Sequence, residues 1–261
     1  MTPDSAPPAT LSARQKLIAE IERRKRRKAG LQASIPACGL DAYPLSYPQR
    51  RLWFLDQMQG ANAAYNIGVA IRFEGRIDVE CMRRAVAGLA QRHAVLRSVI
   101  ERAPDGEPVQ RVRDGLLPEW RAVDLSALPP QARAEAVEDE KRREIARDFD
   151  FSSQSTLRAL LITSAADSHR LVLTLHHVSG DGWSLNVMLR DLLCIYEAER
   201  TGTAAALPPL AVQYGDFAAW QRRADADDAR DVRFWQEWLG DAPALLTLPA
   251  DRPRPAEASF A

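Results

Sequence analysis

Two adjacent histidines followed by an aspartate are the residues of this chain best suited to proton-transfer chemistry. They stand in the stretch HHVSGDGWS over residues 176–184, directly after an apolar run from Leu171 to Leu175. A neutral imidazole can accept a proton near pH 7, and a carboxylate can stabilise the exposed N–H groups at the start of a helix. The structural alternative is a pair of core or loop histidines with a capping aspartate, and the motif by itself leaves both interpretations open.

A strand, a tight turn and a helix are predicted to position these residues. Residues 171–175 alternate as a strand does, Ser-Gly-Asp-Gly is typical of a turn, and Gly180 and Gly182 are predicted to let the chain turn sharply. If the strand continues to its end, His177 shares the face of Leu171, Leu173 and Leu175, and His176 lies on the other face. One imidazole could then face a reacting group while the other is held in the scaffold. Adjacent histidines on opposite faces are poor co-ligands, so no metal site is expected.

Composition excludes several function classes. The chain has 261 residues, 46% of them hydrophobic, which is enough for a buried core, and its 35 positive and 35 negative side chains give no overall field that would favour nucleic acid or a membrane surface. Three cysteines, far apart and odd in number, indicate a reducing compartment, and the cytoplasm is the default location. No apolar run approaches the length of a membrane span.

The other elements are predicted from periodicity and caps. A helix is expected from Ser12, and the cationic run at residues 23–28 at its end is either a solvated helix terminus or a docking surface for an acidic partner. Further predictions are a buried aromatic helix opened by Ser46 and Pro48, a strand near 65–73, a helix over 78–92, a hairpin near 101–113, a charged helix near 130–147, a strand near 157–162 paired with 171–175, and a long helix that stops at Thr201-Gly202.

Four stretches of the chain resemble one protein family. They are Ser46-Tyr-Pro-Gln-Arg-Arg-Leu-Trp53, Arg92-His-Ala-Val-Leu-Arg-Ser98, the histidine motif at 176–184, and Tyr214-Gly-Asp-Phe-Ala-Ala-Trp-Gln221. In this order they resemble the signatures of condensation domains of nonribosomal peptide synthetases, within the chloramphenicol-acetyltransferase-like superfamily. The chain departs from the family pattern at Pro48, where alanine is usual, at Ser98, where threonine is usual, and at Ser155-Thr156, where Gly-Pro is usual.

The resemblance implies an α/β fold, a chloramphenicol-acetyltransferase-like lobe in which helices pack on a mixed sheet. It implies a leader or docking helix and linker over 1–42, an N-terminal lobe over 43–202 and the start of a C-terminal lobe over 203–261. A family member has two similar lobes with the reacting groups in a tunnel between them. The chain is therefore expected to be a fragment or a truncated product, and to form no peptide bond on its own.

The resemblance also implies a reaction and assigns roles to residues. The reaction is amide formation between a carrier-bound acyl or peptidyl donor and a carrier-bound aminoacyl acceptor, with His177 accepting or positioning the amine proton. The rest of the catalytic signature is His176, Asp181 and Gly182, and the supporting residues are Arg97, Trp183 and Ser184. Arg97 is expected to form a buried ion pair with Asp181, which would be costly to break.

The implied partners are carrier proteins. The domain itself needs no cofactor, because upstream and downstream peptidyl carrier proteins bring the substrates on phosphopantetheine, and residues 12–28 could dock an upstream synthetase. Three alternatives stay open: an ester-forming condensation domain, an acyl-CoA-dependent acyltransferase, and a non-catalytic module that only recruits a carrier. The sequence does not identify the donor or the acceptor.

Overall fold

The computed structural model describes residues 35–59, 63–224, 228–243, 249 and 251–252. The chain divides into units 1–36 and 37–261, and the architecture below is that of the second unit. Its strands are β1 (Tyr43–Pro44), β2 (Asn66–Glu74), β3 (Ser98–Arg102), β4 (Pro108–Val112), β5 (Glu119–Asp124), β6 (Leu157–Ala165) and β7 (Ser168–His176). Its helices are α1 (Tyr47–Gln59), α2 (Val79–Arg92), α3 (Pro130–Ile145), α4 (Gly182–Thr201), α5 (Tyr214–Ala224) and α6 (Asp228–Leu239). The helix predicted from Ser12 and the cationic run at 23–28 lie outside the described residues.

Two sheets organise the unit. The larger has the order β2-β7-β6-β5, and the smaller has the order β1-β4-β3. In the larger sheet β5 runs parallel to β6, whereas the β2–β7 and β6–β7 pairs are antiparallel. The predicted α/β class with a mixed sheet is therefore confirmed. The strand that carries His176 lies inside the larger sheet, between β2 and β6.

The hairpin of β6 and β7 is the centre of the core. Its strands are joined across residues 166–167, as predicted, and almost all their apolar residues are buried. One face, which includes Leu171, Leu173 and Leu175, packs against α2 and α4. Val172 on the other face packs with Val137 of α3. A strand covered on both faces needs apolar residues on both, which explains why this hairpin has a nearly continuous apolar sequence.

Local signals set the helix ends close to their predicted positions. The Asp78 side chain accepts a hydrogen bond from the N–H of Cys81 and caps α2. Gly202 ends α4 with a φ of 68°, in the left-handed region that favours glycine. The predicted hairpin near 101–113 is present as β3 and β4, and the charged helix is α3.

Helix α1 corrects one prediction. Its aromatic and apolar residues were expected to be buried. Leu52 and Trp53 are half-buried and pack against a buried cluster, but Phe54 and Met58 are 55% and 67% exposed. Among the side chains described for this helix, the fully buried one is the polar Gln49, with 3% exposure. Hydrophobicity alone does not decide which face of a helix meets the protein, because a polar side chain with hydrogen-bond partners can be buried at little cost.

Helix α5 forms hydrogen bonds with the residues that follow β1. The Tyr214 hydroxyl lies 2.9 Å from the Ser46 hydroxyl oxygen, and the Gln221 side chain accepts a hydrogen bond from the N–H of Tyr47. A Cβ on Gly215 would lie 2.7 Å from the ring of Tyr43, so this helix approaches β1 too closely for any larger residue. None of the helices in the described part of the chain is both long and apolar enough to cross a bilayer.

Candidate active site

His176 is a buried structural residue. It is the last residue of β7, is 4% exposed, and accepts a hydrogen bond at Nδ1 from the N–H of Val178, at 3.0 Å. Its ring lies edge-on to Phe149 and Phe151, with centroids 6.0 and 4.5 Å away. Burial, followed by the neighbouring charges of His177 and Arg158, lowers the pKa of His176 to about 4. The ring is therefore neutral at pH 7, and Nδ1 is fixed as an acceptor.

His177 differs from His176 in its exposure and in its contacts. Its side chain is exposed, while its backbone N–H donates a 2.9 Å hydrogen bond to the carbonyl of Tyr65, beside the start of β2. The strand ends one residue earlier than predicted, at His176, and the side chain of His176 is buried while that of His177 is exposed. The two are thus adjacent in sequence and opposite in environment.

The turn after the histidines ends in a capping box. The Asp181 side chain accepts from the N–H of Ser184 at 2.9 Å, and the Ser184 hydroxyl accepts from the N–H of Asp181 at 3.1 Å. The N–H of Ser184, and then its hydroxyl, lower the pKa of Asp181 below its usual value. Gly182 is the first residue of α4, and Trp183 is 81% exposed. Capping is the role that local sequence assigns to an aspartate here.

The predicted ion pair between Arg97 and Asp181 is wrong. Asp181 is exposed, and the Arg97 guanidinium instead donates from Nη1 to Asp114 at 2.7 Å. Asp181 therefore needs no buried cation, since it is exposed and accepts hydrogen bonds from the N–H and the hydroxyl of Ser184. Arg97 closes the turn after β4 and does not support the histidine motif directly.

The predicted role of the two glycines is also wrong in part. Neither Gly180 nor Gly182 has a positive φ, so the turn does not require glycine for its backbone conformation. Gly180 is required for space, because a Cβ there would lie 2.6 Å from the Leu175 side chain. A Cβ on Gly182 would meet nothing within 4 Å.

The Arg92-His93 segment binds a buried carboxylate that was not singled out from the sequence. Asp191, in the middle of α4, is fully buried and accepts from Arg92 Nε at 2.8 Å and from His93 Nε2 at 2.9 Å. Burial raises the pKa of Asp191, but the hydrogen bonds from Arg92, Arg190 and His93 outweigh it, so the pKa is lowered. The His93 side chain is mostly buried, at 17% exposure. The segment ties the end of α2 to α4, the helix that starts at the motif.

Arg158 supports His176 from the other side. Its guanidinium is 3% exposed, donates to Glu144 at 2.9 Å, and also donates to three backbone carbonyls between residues 144 and 148. It lies 3.8 Å from the centre of the Phe149 ring, which in turn contacts His176. Burial lowers the pKa of Arg158, and Glu144 opposes this shift. The arginine therefore fixes the segment whose aromatic residues enclose the buried histidine.

The side chain of Gln49 contacts the backbone of the histidine motif. Its side-chain amide donates to the carbonyl of Val178, the residue after His177, at 3.2 Å. Gln49 also forms a capping box with Ser46 at the start of α1, with bonds of 3.0 and 3.3 Å. The Ser-x-x-Gln spacing is a known signature of this cap and could have been recognised in the sequence. The contact to Val178 could not, because it joins residues 129 positions apart.

The described residues hold no group of three or more histidine, cysteine, aspartate or glutamate side chains placed to bind a metal ion. What the site offers is one exposed imidazole on a rigid backbone. Such a group can accept a proton from a nucleophile or orient that nucleophile by a hydrogen bond.

Comparison with known proteins decides the family. The family described as "Condensation domain" matches residues 40–261. The chain belongs to the condensation-domain family. The first 39 residues lie outside the match, in agreement with the start of the resemblance near residue 43.

Relatives of this condensation-domain chain include a synthetase and two solved domains. Phosphinothricin tripeptide synthetase PhsC of Streptomyces viridochromogenes is 41% identical over 256 residues, which are 96% of this chain and 23% of that protein. The X-domain from teicoplanin biosynthesis is 28% identical with a TM-score of 0.70, over 85% of this chain and 49% of that one. The starter condensation domain of rhizomide synthetase RzmA has a TM-score of 0.69 over 78% of this chain and 49% of that one, and at 18% identity it shows the fold alone.

The comparisons confirm the predicted family and the chloramphenicol-acetyltransferase-like fold. The chain spans about half the length of the two solved domains and less than a quarter of PhsC. The predicted bounds at residues 42 and 202, and the roles of the individual motif residues, stay predictions.

Proposed function

We propose that this chain supplies the histidine-bearing half of a condensation domain that forms an amide bond between two carrier-bound thioesters. The observation that carries the proposal is the contrast within the motif. His176 is buried, neutral and engaged by Val178, whereas His177 is exposed at the end of a strand that lies inside the sheet. Only His177 is free to meet a substrate.

The chemistry follows from that imidazole. The amine of the acceptor attacks the carbonyl carbon of the donor thioester, a C–N bond forms and the C–S bond breaks. His177 accepts the proton that the amine loses and returns it to the departing sulfur, which leaves as a thiol. A neutral imidazole suits both transfers near pH 7. The step consumes no oxidant or reductant and requires no bound cofactor.

The remaining motif residues hold the turn and the start of α4 in place. Asp181 and Ser184 start α4 by a capping box, and His176 anchors the turn from inside. Upstream and downstream carrier proteins would bring both substrates on phosphopantetheine arms. No observation favours ester formation, acyl-CoA as donor or a purely recruiting role over amide formation.

The test is a condensation assay in which both carriers are loaded and the complete domain contains this chain. His177→Ala should lose about 10²-fold in turnover, as expected for removal of a general base. Its melting temperature should stay unchanged, because the side chain is exposed. Retained turnover in His177→Ala, together with loss in His176→Ala at unchanged stability, would refute the assignment.

The 261-residue chain alone should show no turnover with both carriers supplied. It spans about half of the solved domains, and positioning two substrates can contribute roughly 7–11 kcal/mol to such a reaction. In the structure of this chain the His177 side chain is exposed to solvent. Turnover by this chain above that of its own His177→Ala variant would contradict this expectation.

A further inference from the structure

The backbone that carries His177 is held at three successive points. The N–H of His177 donates to Tyr65, the N–H of Val178 donates to the His176 ring, and the carbonyl of Val178 accepts from Gln49 at 3.2 Å. The first contact comes from the residue just before β2, and the second comes from the motif itself. The third comes from α1, an element remote in sequence.

Gln49 is built to be rigid. Its Oε1 accepts from the N–H of Ser46 at 3.0 Å and from Gln110 Nε2 at 3.1 Å, while its Nε2 donates to Gln110 Oε1 at 3.3 Å and to Val178. The amide therefore uses both donors and two acceptor positions, and it is 3% exposed. Gln110 is itself held by the carbonyl of Pro44. A buried amide with all its bonds made has one orientation.

We propose that Gln49 is a positioning residue for His177, acting through the carbonyl of Val178. This inference rests on the proposed function and adds a residue of the first signature segment to the site. Only one peptide unit separates the Cα of His177 from the Val178 backbone. Fixing that carbonyl holds the Cα of Val178, at which the peptide unit that follows His177 ends, and so helps to hold the strand end from which the imidazole projects.

Packing holds the Val178 side chain in place, and the Gln49 hydrogen bond orients the Val178 carbonyl. The Val178 side chain is 4% exposed and packs with Leu45, Ile100, Phe149 and Phe151. Apolar packing is non-directional and permits rotation of the peptide group after Val178. The hydrogen bond from the Gln49 amide to the Val178 carbonyl fixes the plane of that group. Without a donor the carbonyl is left unsatisfied in a buried place and should rotate toward another donor.

The test compares two glutamines with the same type of bonding. Gln49→Met keeps the side-chain length and removes the donor to Val178. Gln213→Met is the matched control, because Gln213 also bridges two backbone groups, accepting from the N–H of Ala94 at 2.9 Å and donating to the carbonyl of Arg92 at 3.1 Å, but does not contact the turn. Thermal unfolding and steady-state condensation with both loaded carriers are measured for the complete domain.

Positioning by Gln49 predicts a selective loss of kcat. A displacement of about 1 Å at a reacting group can cost on the order of 10²-fold, so Gln49→Met should lower kcat by about 10- to 100-fold, with KM changed by less than about 3-fold. Gln213→Met should also lose thermal stability, because it loses two side-chain hydrogen bonds, and should keep kcat within about 3-fold of wild type. Equal kcat losses in the two variants would overturn the inference.

A second variant covers the case in which Gln49→Met does not fold. Gln49→Glu keeps an acceptor for the N–H of Ser46, and its protonated form can donate to Val178, whereas its carboxylate cannot. The ratio of its kcat to the wild-type kcat should therefore rise as the pH is lowered. A ratio that does not change with pH would refute the role of the donor.

His177→Ala in the same assay separates the two possible failures. If His177→Ala keeps its turnover, the catalytic role assigned to His177 is wrong and the positioning role is refuted with it. If His177→Ala loses turnover while Gln49→Met behaves like Gln213→Met, the proposed function stands and only the role of Gln49 is refuted.

Discussion

Replacing Glu144 by glutamine should test how strongly the scaffold beneath His176 depends on one buried charge. The carboxylate is 1% exposed and accepts from Arg158 at 2.9 Å, from Arg147 at 3.1 Å and from Arg121 at 3.2 Å. Glutamine has nearly the same volume, so packing is preserved. The charge is removed, and the Arg158 guanidinium, 3% exposed, is left without a carboxylate.

The expected loss is large for a single substitution. Removing one partner of a buried ion pair costs about 3–5 kcal/mol, because the other charge stays buried and uncompensated. For a domain of this size, each kcal/mol lowers the melting temperature by about 2–4 °C. Glu144→Gln should therefore melt roughly 6–20 °C below wild type.

The measurement is thermal unfolding of the 261-residue chain, followed by circular dichroism at low and at high salt. Glu107→Gln is the control, since Glu107 pairs with Arg50 on the surface, where the side chains are 56% and 44% exposed. An exposed pair contributes about 1 kcal/mol or less, and salt screens it. The loss in Glu144→Gln should persist at high salt. A melting temperature for Glu144→Gln as close to wild type as that of the control would refute this account of the scaffold.

Three further predictions concern the motif and its turn. In urea unfolding, Asp181→Asn should keep the stability of the chain, and Asp181→Ala should lose about 1 kcal/mol, as expected for a helix cap. A loss of about 3 kcal/mol or more in Asp181→Ala would indicate a buried ion pair. The pKa of His176 is lowered from 6.5 to about 4 in the folded state, so its stabilising contribution is complete above pH 6.5 and is lost, by about 3 kcal/mol, as the pH falls toward 4. His176→Asn should flatten the urea-unfolding profile in that window, and an unchanged profile would contradict the shift. Gly180→Ala should destabilise the chain by about 1–3 kcal/mol because its Cβ would meet Leu175, and Gly182→Ala should melt like wild type; equal melting of the two variants would show that the turn has room to adjust.

The elements that present the motif could be predicted from the sequence because their signals are local. The alternation of residues 171–175, the cap at Asp78 and the glycine at 202 lie within a few residues of the features they determine. The same local rule predicts that the two histidines lie on opposite faces, since neighbouring residues of a strand point to opposite faces. The family resemblance rests on short segments of this kind.

Partners across the fold could not be predicted in the same way. Arg97 and Asp181 looked complementary, yet Arg97 binds Asp114, and Asp181 only caps a helix. Asp191 reads in the sequence as an ordinary charge on a helix, and its burial appears only once α2 lies against α4. An ion pair depends on the distance through space between two side chains, which the order of residues does not give.

The sequence by itself therefore determined the strand, the turn and the helix, and placed His176 and His177 on opposite faces, because periodicity and capping act over a few residues. The tertiary structure alone decided what holds that motif in place. Gln49 reaches Val178, and Arg158 encloses His176 through Phe149, because packing of the sheet and helices brings together segments that are far apart in the chain. Contacts of that kind depend on how the whole unit closes around its core.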